Sequence, residues 1–251
     1  MSHIVKAKIN DATGLKLIIN TISSFAIFKF DKNGCTILNA ILNNNKLQQY
    51  IILHADKFQE YIITEECQSK EFIIDPLKSL LSNGCDIVDI CVDNEKNIEF
   101  YIHDKLNKII KHFKPNTINQ RQKFPNRELQ NTHFEYAVKL NLENLFKICK
   151  EIHDNYHQAE CIISCNDKNI SFLFETGHGK FGYEMINKDI VNMDKDKNSL
   201  KIYCSPFSLR EIFNIVNQTK NISTDVTLYL KNNTPLCLEF QIALGKMIII
   251  F

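Results

Sequence analysis

Long apolar runs are missing from this chain. Stretches such as Met247–Phe251 are far shorter than the ~20 residues a helix needs to cross a bilayer, so no membrane partner is expected. The opening MSHIVKAKIN lacks the apolar centre of a secretory signal, because Lys6, Lys8 and Asn10 interrupt it. An excess of charge is missing as well. Lys and Arg total 30 against 29 Asp and Glu, a formal net charge of +1. Such a balance gives no global attraction to nucleic acid, and any DNA-binding surface must come from local segregation of charge. Catalytic fingerprints are also absent: there is no G-x-S-x-G, no H-E-x-x-H and no Rossmann glycine pattern. Gly177-His178-Gly179-Lys180 lacks the spacing of a phosphate-binding loop and reads as a hairpin turn. Glu65-Glu66 and Asp194-Lys195-Asp196-Lys197 read as solvated loops. No catalytic residue and no cofactor is expected.

What is present fits an ordinary globular protein of 251 residues, with 44% hydrophobic and 24% charged residues. Its nine cysteines are odd in number and spread through apolar segments, which suits reduced thiols in a nuclear or cytosolic compartment. Cys149, His153, His157, Cys161 and Cys165 recur every four residues. On one continuous helix they would line up as zinc ligands. The helix is expected to end near Asp154-Asn155, however, and Glu160–Cys165 reads as strand, so the five do not converge and no metal is expected.

Short segments rich in Ile, Phe, Val and Tyr read as strands: Ala26–Phe30, Gln49–Leu53, Ile87–Val92, Ile98–Ile102, Glu160–Cys165, Ile170–Phe174, Asp225–Leu230 and Leu236–Ile242. Asn, Asp, Gly and Lys clusters between them, among them Asp31–Gly34, Asp93–Asn97, Asn166–Asn169 and Lys231–Thr234, read as tight turns of antiparallel meanders. Four segments carry helical periodicity instead, with caps at Asp11, Asp75, Asn141 and Ser205. Pro76 and Pro206 follow two of these caps, at the first helical position, where a missing N–H costs nothing. Asp75 follows Asp11 by the same interval as Ser205 follows Asn141, so the chain repeats a strand–helix–strands unit in two halves. The reading is α+β: two similar domains, each with two helices packed on antiparallel sheet. The polar segment from Lys114 to Asn131, with two prolines and the basic residues Arg121, Lys123 and Arg127, reads as the linker. The domains are then 1–118 and 133–251, with a connector at 119–132.

Each helix has an apolar stripe and a polar outer face. The stripes are Leu15, Ile18, Ile19 and Ile22; Leu77, Leu80 and Leu81; Leu142, Leu145, Phe146, Cys149 and Ile152; and Leu209, Ile212, Phe213 and Val216. The outer faces carry Lys16, Lys78, Lys147, Lys150 and Arg210, with Lys220 just beyond the last helix, diluted by Glu143, Glu151, Asp154 and Glu211. Alone, such faces read first as solvated. No aromatic residues interleave with the basic ones, which argues against base stacking. The other reading is a weak, sequence-independent phosphate surface.

Two long segments carry a resemblance. Lys139–Phe174, KLNLENLFKICKEIHDNYHQAECIISCNDKNISFLF, resembles the start of the second domain of sliding clamps of the proliferating cell nuclear antigen family. Phe207–Phe213 (FSLREIF) and Thr224–Ile242 (TDVTLYLKNNTPLCLEFQI) resemble that family's last helix and final hairpin. The N-terminal half follows the family mainly in pattern, through Ala7–Leu17, Asn33-Gly34 and Phe72–Ile90.

The resemblance implies two DNA-clamp domains assembling head to tail into a ring, a homotrimer, whose helices line a hole around double-stranded DNA. Lys16, Lys78, Lys147, Lys150, Arg210 and Lys220 would face the phosphates. Subunits would join through Asn107–Lys114 of one and Lys180–Asn187 of the next, with Ile109, Lys111, Phe181 and Tyr183 in the interface. DNA polymerase and other clamp-binding proteins would dock a peptide in a pocket framed by Ala40, Phe124, Pro125, Pro235, Ile250 and Phe251, and a clamp loader is a further partner the family implies. The expected location is nuclear, or a cytoplasmic replication site if the AT-rich-looking composition reflects a large DNA virus. The sequence departs from the family in its basic connector, in the loop after Ala40 (ILNNNK) and in ending at Phe251. These departures leave room for a second reading, a clamp-fold subunit diverted to checkpoint signalling or viral late transcription.

Overall fold

The computed structural model describes residues 3–10, 12–23, 25–41, 47–82, 85–118, 133–155, 160–176, 179–186, 189–194, 196, 198–204, 206–232 and 236–250, with backbone alone at 40, 41, 47, 176 and 206–209. The chain is α+β. It divides into two compact units, Met1–Phe124 with Ile242–Ile248, and Pro125–Gln241 with Ile249–Phe251.

In the first unit the order is β1 (His3–Ile9), α1 (Ala12–Asn20), β2 (Phe25–Asp31), β3 (Gly34–Ile41), β4 (Leu47–His54), a 3-10 turn (Ala55–Lys57), β5 (Glu60–Ile63), β6 (Cys67–Gln68), β7 (Glu71–Ile73), α2 (Asp75–Ser82), β8 (Ile87–Asp93), β9 (Ile98–Asp104), β10 (Ile109–Phe113) and β11 (Thr117–Ile118). One sheet has the order β10-β9-β8-β1-β5, with every neighbouring pair antiparallel. Another runs β11-β7-β2-β3-β4. Helices α1 and α2 pack on each other and bury Leu15, Ile18, Ile19, Leu77 and Leu81. Phe28 and Phe72 of the second sheet, 5.6 Å apart, meet Phe100 of the first at ring-centroid distances of 5.8 and 5.9 Å. That aromatic knot joins the two layers, since each ring buries a large apolar area and offset or edge contacts add to it.

In the second unit the order is β12 (Tyr136–Asn141), α3 (Leu142–Asn155), β13 (Glu160–Asn166), β14 (Asn169–Thr176), β15 (Gly179–Ile186), β16 (Ile190–Asn192), β17 (Ser199–Cys204), α4 (Pro206–Thr219), β18 (Asp225–Leu230) and β19 (Cys237–Ile242). Here β15-β14-β13-β17 form one sheet and β19-β18-β12-β16 another. Leu145, Cys149 and Ile152 of α3, Ile212 of α4, Phe172 of β14 and Leu228 of β18 surround a small, wholly apolar cavity. Both helices and both sheets therefore close on one core.

Side chains write the punctuation. Asn141 caps α3, accepting from the Asn144 amide at 3.1 Å, so one orphan donor of the first turn is satisfied. In the turns, the carboxylate of Asp31 accepts from Asn33 N (2.8 Å), that of Asp93 from Glu95 N and Asn97 N (2.9 Å each), and the Asn166 side-chain oxygen from Lys168 N (2.8 Å). Such local bonds are why Asp and Asn favour turns. One helix starts a residue earlier than its spacing predicts. Asp75 is already helical, and Ile74 supplies the capping carbonyl, accepting from Lys78 N at 3.1 Å. Pro76 then sits one place further in, still among the first-turn positions that need no donor.

Two other expectations are corrected. Leu80 is only half-buried, and so are Phe146 and Phe213. Ile148 and Ile215 take the core positions instead. The polar stretch after Lys114 shows no alternation, yet Thr117 and Ile118 pair with Phe72 and Glu71; a two-residue strand has no period to read. The connector at 119–132, with Arg121, Lys123 and Arg127, lies outside the described residues.

Near the C-terminus, β20 (Gly245–Ile250) lies beside β4, and His54 N donates to Leu244 O at 3.0 Å. The β2–β3 turn depends on Gly34, whose φ is +140° and whose added Cβ would stand 2.0 Å from Leu53 O. Gly179 has a similar φ, +146°, with nothing within 4 Å of the added carbon. Gly179→Ala therefore adds only backbone strain, about 1 kcal/mol, while Gly34→Ala adds a backbone collision and is expected to cost more than about 2 kcal/mol. Urea denaturation of the two variants side by side measures the difference.

Candidate nucleic-acid interface and free strand edges

Helix geometry decides which cations are available for a phosphate. On α1, Lys16 is half-buried and makes no hydrogen bond or ion pair among the described residues. On α2, Lys78 Nζ lies 2.8 Å from Asp75 Oδ1 and 3.2 Å from the Ser23 carbonyl. On α3, Lys147 and Lys150 are both exposed. Lys147 pairs with Glu143 one turn back at 3.0 Å, the favourable Glu-before-Lys order. Lys150 makes no hydrogen bond or ion pair among the described residues. On α4, Arg210 is exposed and likewise unpaired among them. Lys220 stands just past the end of α4, with its ammonium 4.5 Å from the centre of the Phe146 ring. Among the described residues, the six cations the sequence singles out thus fall into three free, two paired with carboxylates and one seated on an aromatic face.

A seam of rings joins α3 to α4. Phe146 and Phe213 stack at 5.9 Å and 16°, and His153 stacks on Phe213 at 4.4 Å and 20°. Sequence reasoning places both phenylalanines in the core and sees no aromatic beside the cations. A helix turns 100° per residue, so a ring at the margin of the apolar stripe can rotate to a neighbouring helix's margin instead. The signal was the coincidence of a marginal Phe on each of two adjacent helices.

Several strands end their sheets, β5 and β17 among them; the two that carry the subunit-interface residues implied by the resemblance are β10 and β15. The first is β10, held to β9 alone; Ile109 is 49% and Ile110 62% exposed, and Lys111 is half-buried. On its outer face, His112 stacks on Tyr101 (4.7 Å, 13°). Glu99 accepts from Lys114 Nζ at 2.7 Å and from the Tyr101 hydroxyl at 3.0 Å. The hydrogen bond from Lys114 holds the Glu99 carboxyl below its ordinary range. These contacts fix β10 as a stiff edge. The second is β15, held to β14 alone, with no fully buried residue along its length. Phe181 and Tyr183 lean inward on Phe174, at 5.3 Å and 6.2 Å, and Ile186 is 88% exposed. An open edge offers a row of unpaired N–H and C=O groups, a template for another strand.

Of the pocket residues, Phe124, Pro125, Pro235, Phe251 and the side chain of Ala40 lie outside the described residues, and Ile250 is 7% exposed. Of the cysteine–histidine run, Cys149 and His153 are on α3, Cys161 and Cys165 are on β13, and His157 lies outside the described residues. Among the described residues no three His, Cys, Asp or Glu side chains gather as a metal site. Burial pushes the Cys149 and Cys165 thiols up to about 12 and Cys204 to about 11. All three stay protonated at neutral pH and behave as small apolar residues.

Residues 128–251 match the family described as proliferating cell nuclear antigen, C-terminal domain. That span contains α3, α4, β15 and the aromatic seam. No curated protein matches the chain.

Proposed function

We propose, on the premise that the chain belongs through residues 128–251 to the proliferating cell nuclear antigen family, that it forms a homotrimeric ring around duplex DNA and tethers a DNA polymerase to its template. Proteins of this type are sliding clamps: they bind DNA and clamp-binding partners and act as scaffolds. Two of the open edges, those bearing the residues the resemblance places between subunits, support the finer reading. One edge, β10, presents Ile109, Ile110 and Lys111; the other, β15, presents Phe181, Tyr183 and Ile186. Two different edges on one chain suit head-to-tail contacts, which close into a ring when the rotation permits. The outer faces of α1–α4 would line the hole, with Lys16, Lys150 and Arg210 as the free cations. A topologically held ring needs only weak, sequence-independent phosphate contacts, and weak contacts allow sliding. A polymerase peptide would dock at the pocket of Ala40, Phe124, Pro125, Pro235, Ile250 and Phe251, and a loader would open the ring.

The test combines mass and topology. Light scattering on the purified chain should give three chain masses, and protein held on closed circular duplex should be released when the circle is cut once. A monomer or dimer, with no difference between closed and cut circles, would favour the diverted clamp-fold subunit instead.

A further inference from the structure

We infer that Phe146 is a positioning residue for Lys220, holding that ammonium at the α3–α4 seam as a preset phosphate contact. This rests on the clamp reading, which supplies the duplex facing these helices.

Phe146 is not a core residue: it is half-buried, while Ile148 and Cys149 fill the core beneath it. Its position is fixed from one side by Phe213, itself stacked with His153. The Lys220 ammonium sits against Phe146 at 4.5 Å, within the range where a ring quadrupole attracts a cation. The run of contacts His153–Phe213–Phe146–Lys220 ends on a positive charge.

Lys220 has no competing structural duty in view. The carbonyls at the end of α4 are already engaged: Thr219 Oγ1 donates to Ile215 O at 2.9 Å, Lys220 N to Val216 O at 3.1 Å, and Ile222 N to Thr219 O at 2.9 Å. Among the described residues no carboxylate pairs with Lys220, in contrast to Lys78 and Lys147. The residue is exposed, so the side of the ammonium away from the ring is open to an anion. A mobile lysine loses rotamer freedom when it meets a phosphate; one already seated on a ring has lost much of it beforehand. Phe146 thus acts on DNA only through Lys220.

The experiment is a double-mutant cycle on equilibrium binding of the full chain to a linear duplex across a salt series. Lys220→Gln is expected to reduce the slope of log affinity against log salt by about 0.9 for each phosphate it ceases to neutralise. Phe146→Leu, in the wild-type background, is expected to weaken binding roughly two- to fivefold per subunit engaged, the factor of a surface cation–π pair. In the Lys220→Gln background it should have no further effect, and Phe146→Tyr, which keeps the ring face, should retain wild-type affinity. Equal losses from Phe146→Leu in both backgrounds, or no loss in the wild type, would overturn the inference and leave the clamp standing. Salt-independent binding by the wild type would overturn the clamp reading and this inference with it. Because Lys220 is exposed, its variant remains informative even if Phe146→Leu lowers the melting temperature.

Discussion

Lys150→Ala is expected to weaken duplex binding well beyond Lys147→Ala, although the two lysines stand one turn apart on the same exposed helix face. The difference lies in Glu143. Its carboxylate holds Lys147 at 3.0 Å, so a phosphate can recruit that lysine only by displacing an anion already there. An exposed pair of this kind adds only about 0.3–0.5 kcal/mol to stability, but it cancels the local charge that a phosphate would see. Lys150 carries no such partner among the described residues and can release counterions from DNA directly. Every phosphate that Lys150 would have neutralised should take about 0.9 off the salt slope when it becomes Ala, up to three times per trimer, while Lys147→Ala should change the slope little. Glu143→Gln should do the opposite and tighten binding by freeing Lys147, with the gain disappearing when Lys147 is also Ala. Reversing both lysines to Glu should abolish binding outright. Melting temperatures should hardly move, since exposed substitutions usually stay within about 0.5 kcal/mol. Equal losses from Lys147→Ala and Lys150→Ala, with no gain from Glu143→Gln, would remove the α3 outer face from the DNA wall.

Much of the framework was legible because it is written in local bonds. The cap at Asn141, the turns at Asp31, Asp93 and Asn166 and the apolar stripe of α1 each depend on residues a few positions apart, and each is found where the sequence puts it. The paired halves follow from the same punctuation. What the sequence could not show depends on distant partners. Phe146 and Phe213 lie at stripe margins, where periodicity allows either the core or a neighbouring helix, and only the packing of α3 on α4 decides. Strands as short as β6 and β11 carry no alternation. The availability of the six cations was equally hidden, because Lys16, Lys147 and Lys220 look alike as letters and differ only in what stands beside them. The connector and most of the pocket residues fall outside the described residues, so their reading rests on the resemblance alone.

If the chain assembles into the proposed ring, Ile110→Glu is expected to leave folded monomers, and the physical case rests on where that side chain lies. It is 62% exposed on an edge strand, opposite His103 in the β9–β10 register, so the isolated chain gains no buried charge. A carboxylate on an open edge does oppose pairing with another strand, the device natural sheets use against edge-to-edge association. Ile186→Glu, at the 88% exposed end of β15, should break the ring from the other side. A head-to-tail ring then makes a distinctive demand on the mixture. The Ile110→Glu chain keeps a competent β15 and the Ile186→Glu chain a competent β10, so together they have one good interface and no second. Each variant alone should remain monomeric at micromolar concentration, and the mixture should stop at a one-to-one dimer. Light scattering reads all three masses, and circular dichroism confirms that each chain is folded. A trimer that survives both substitutions would place the subunit interface on other edges.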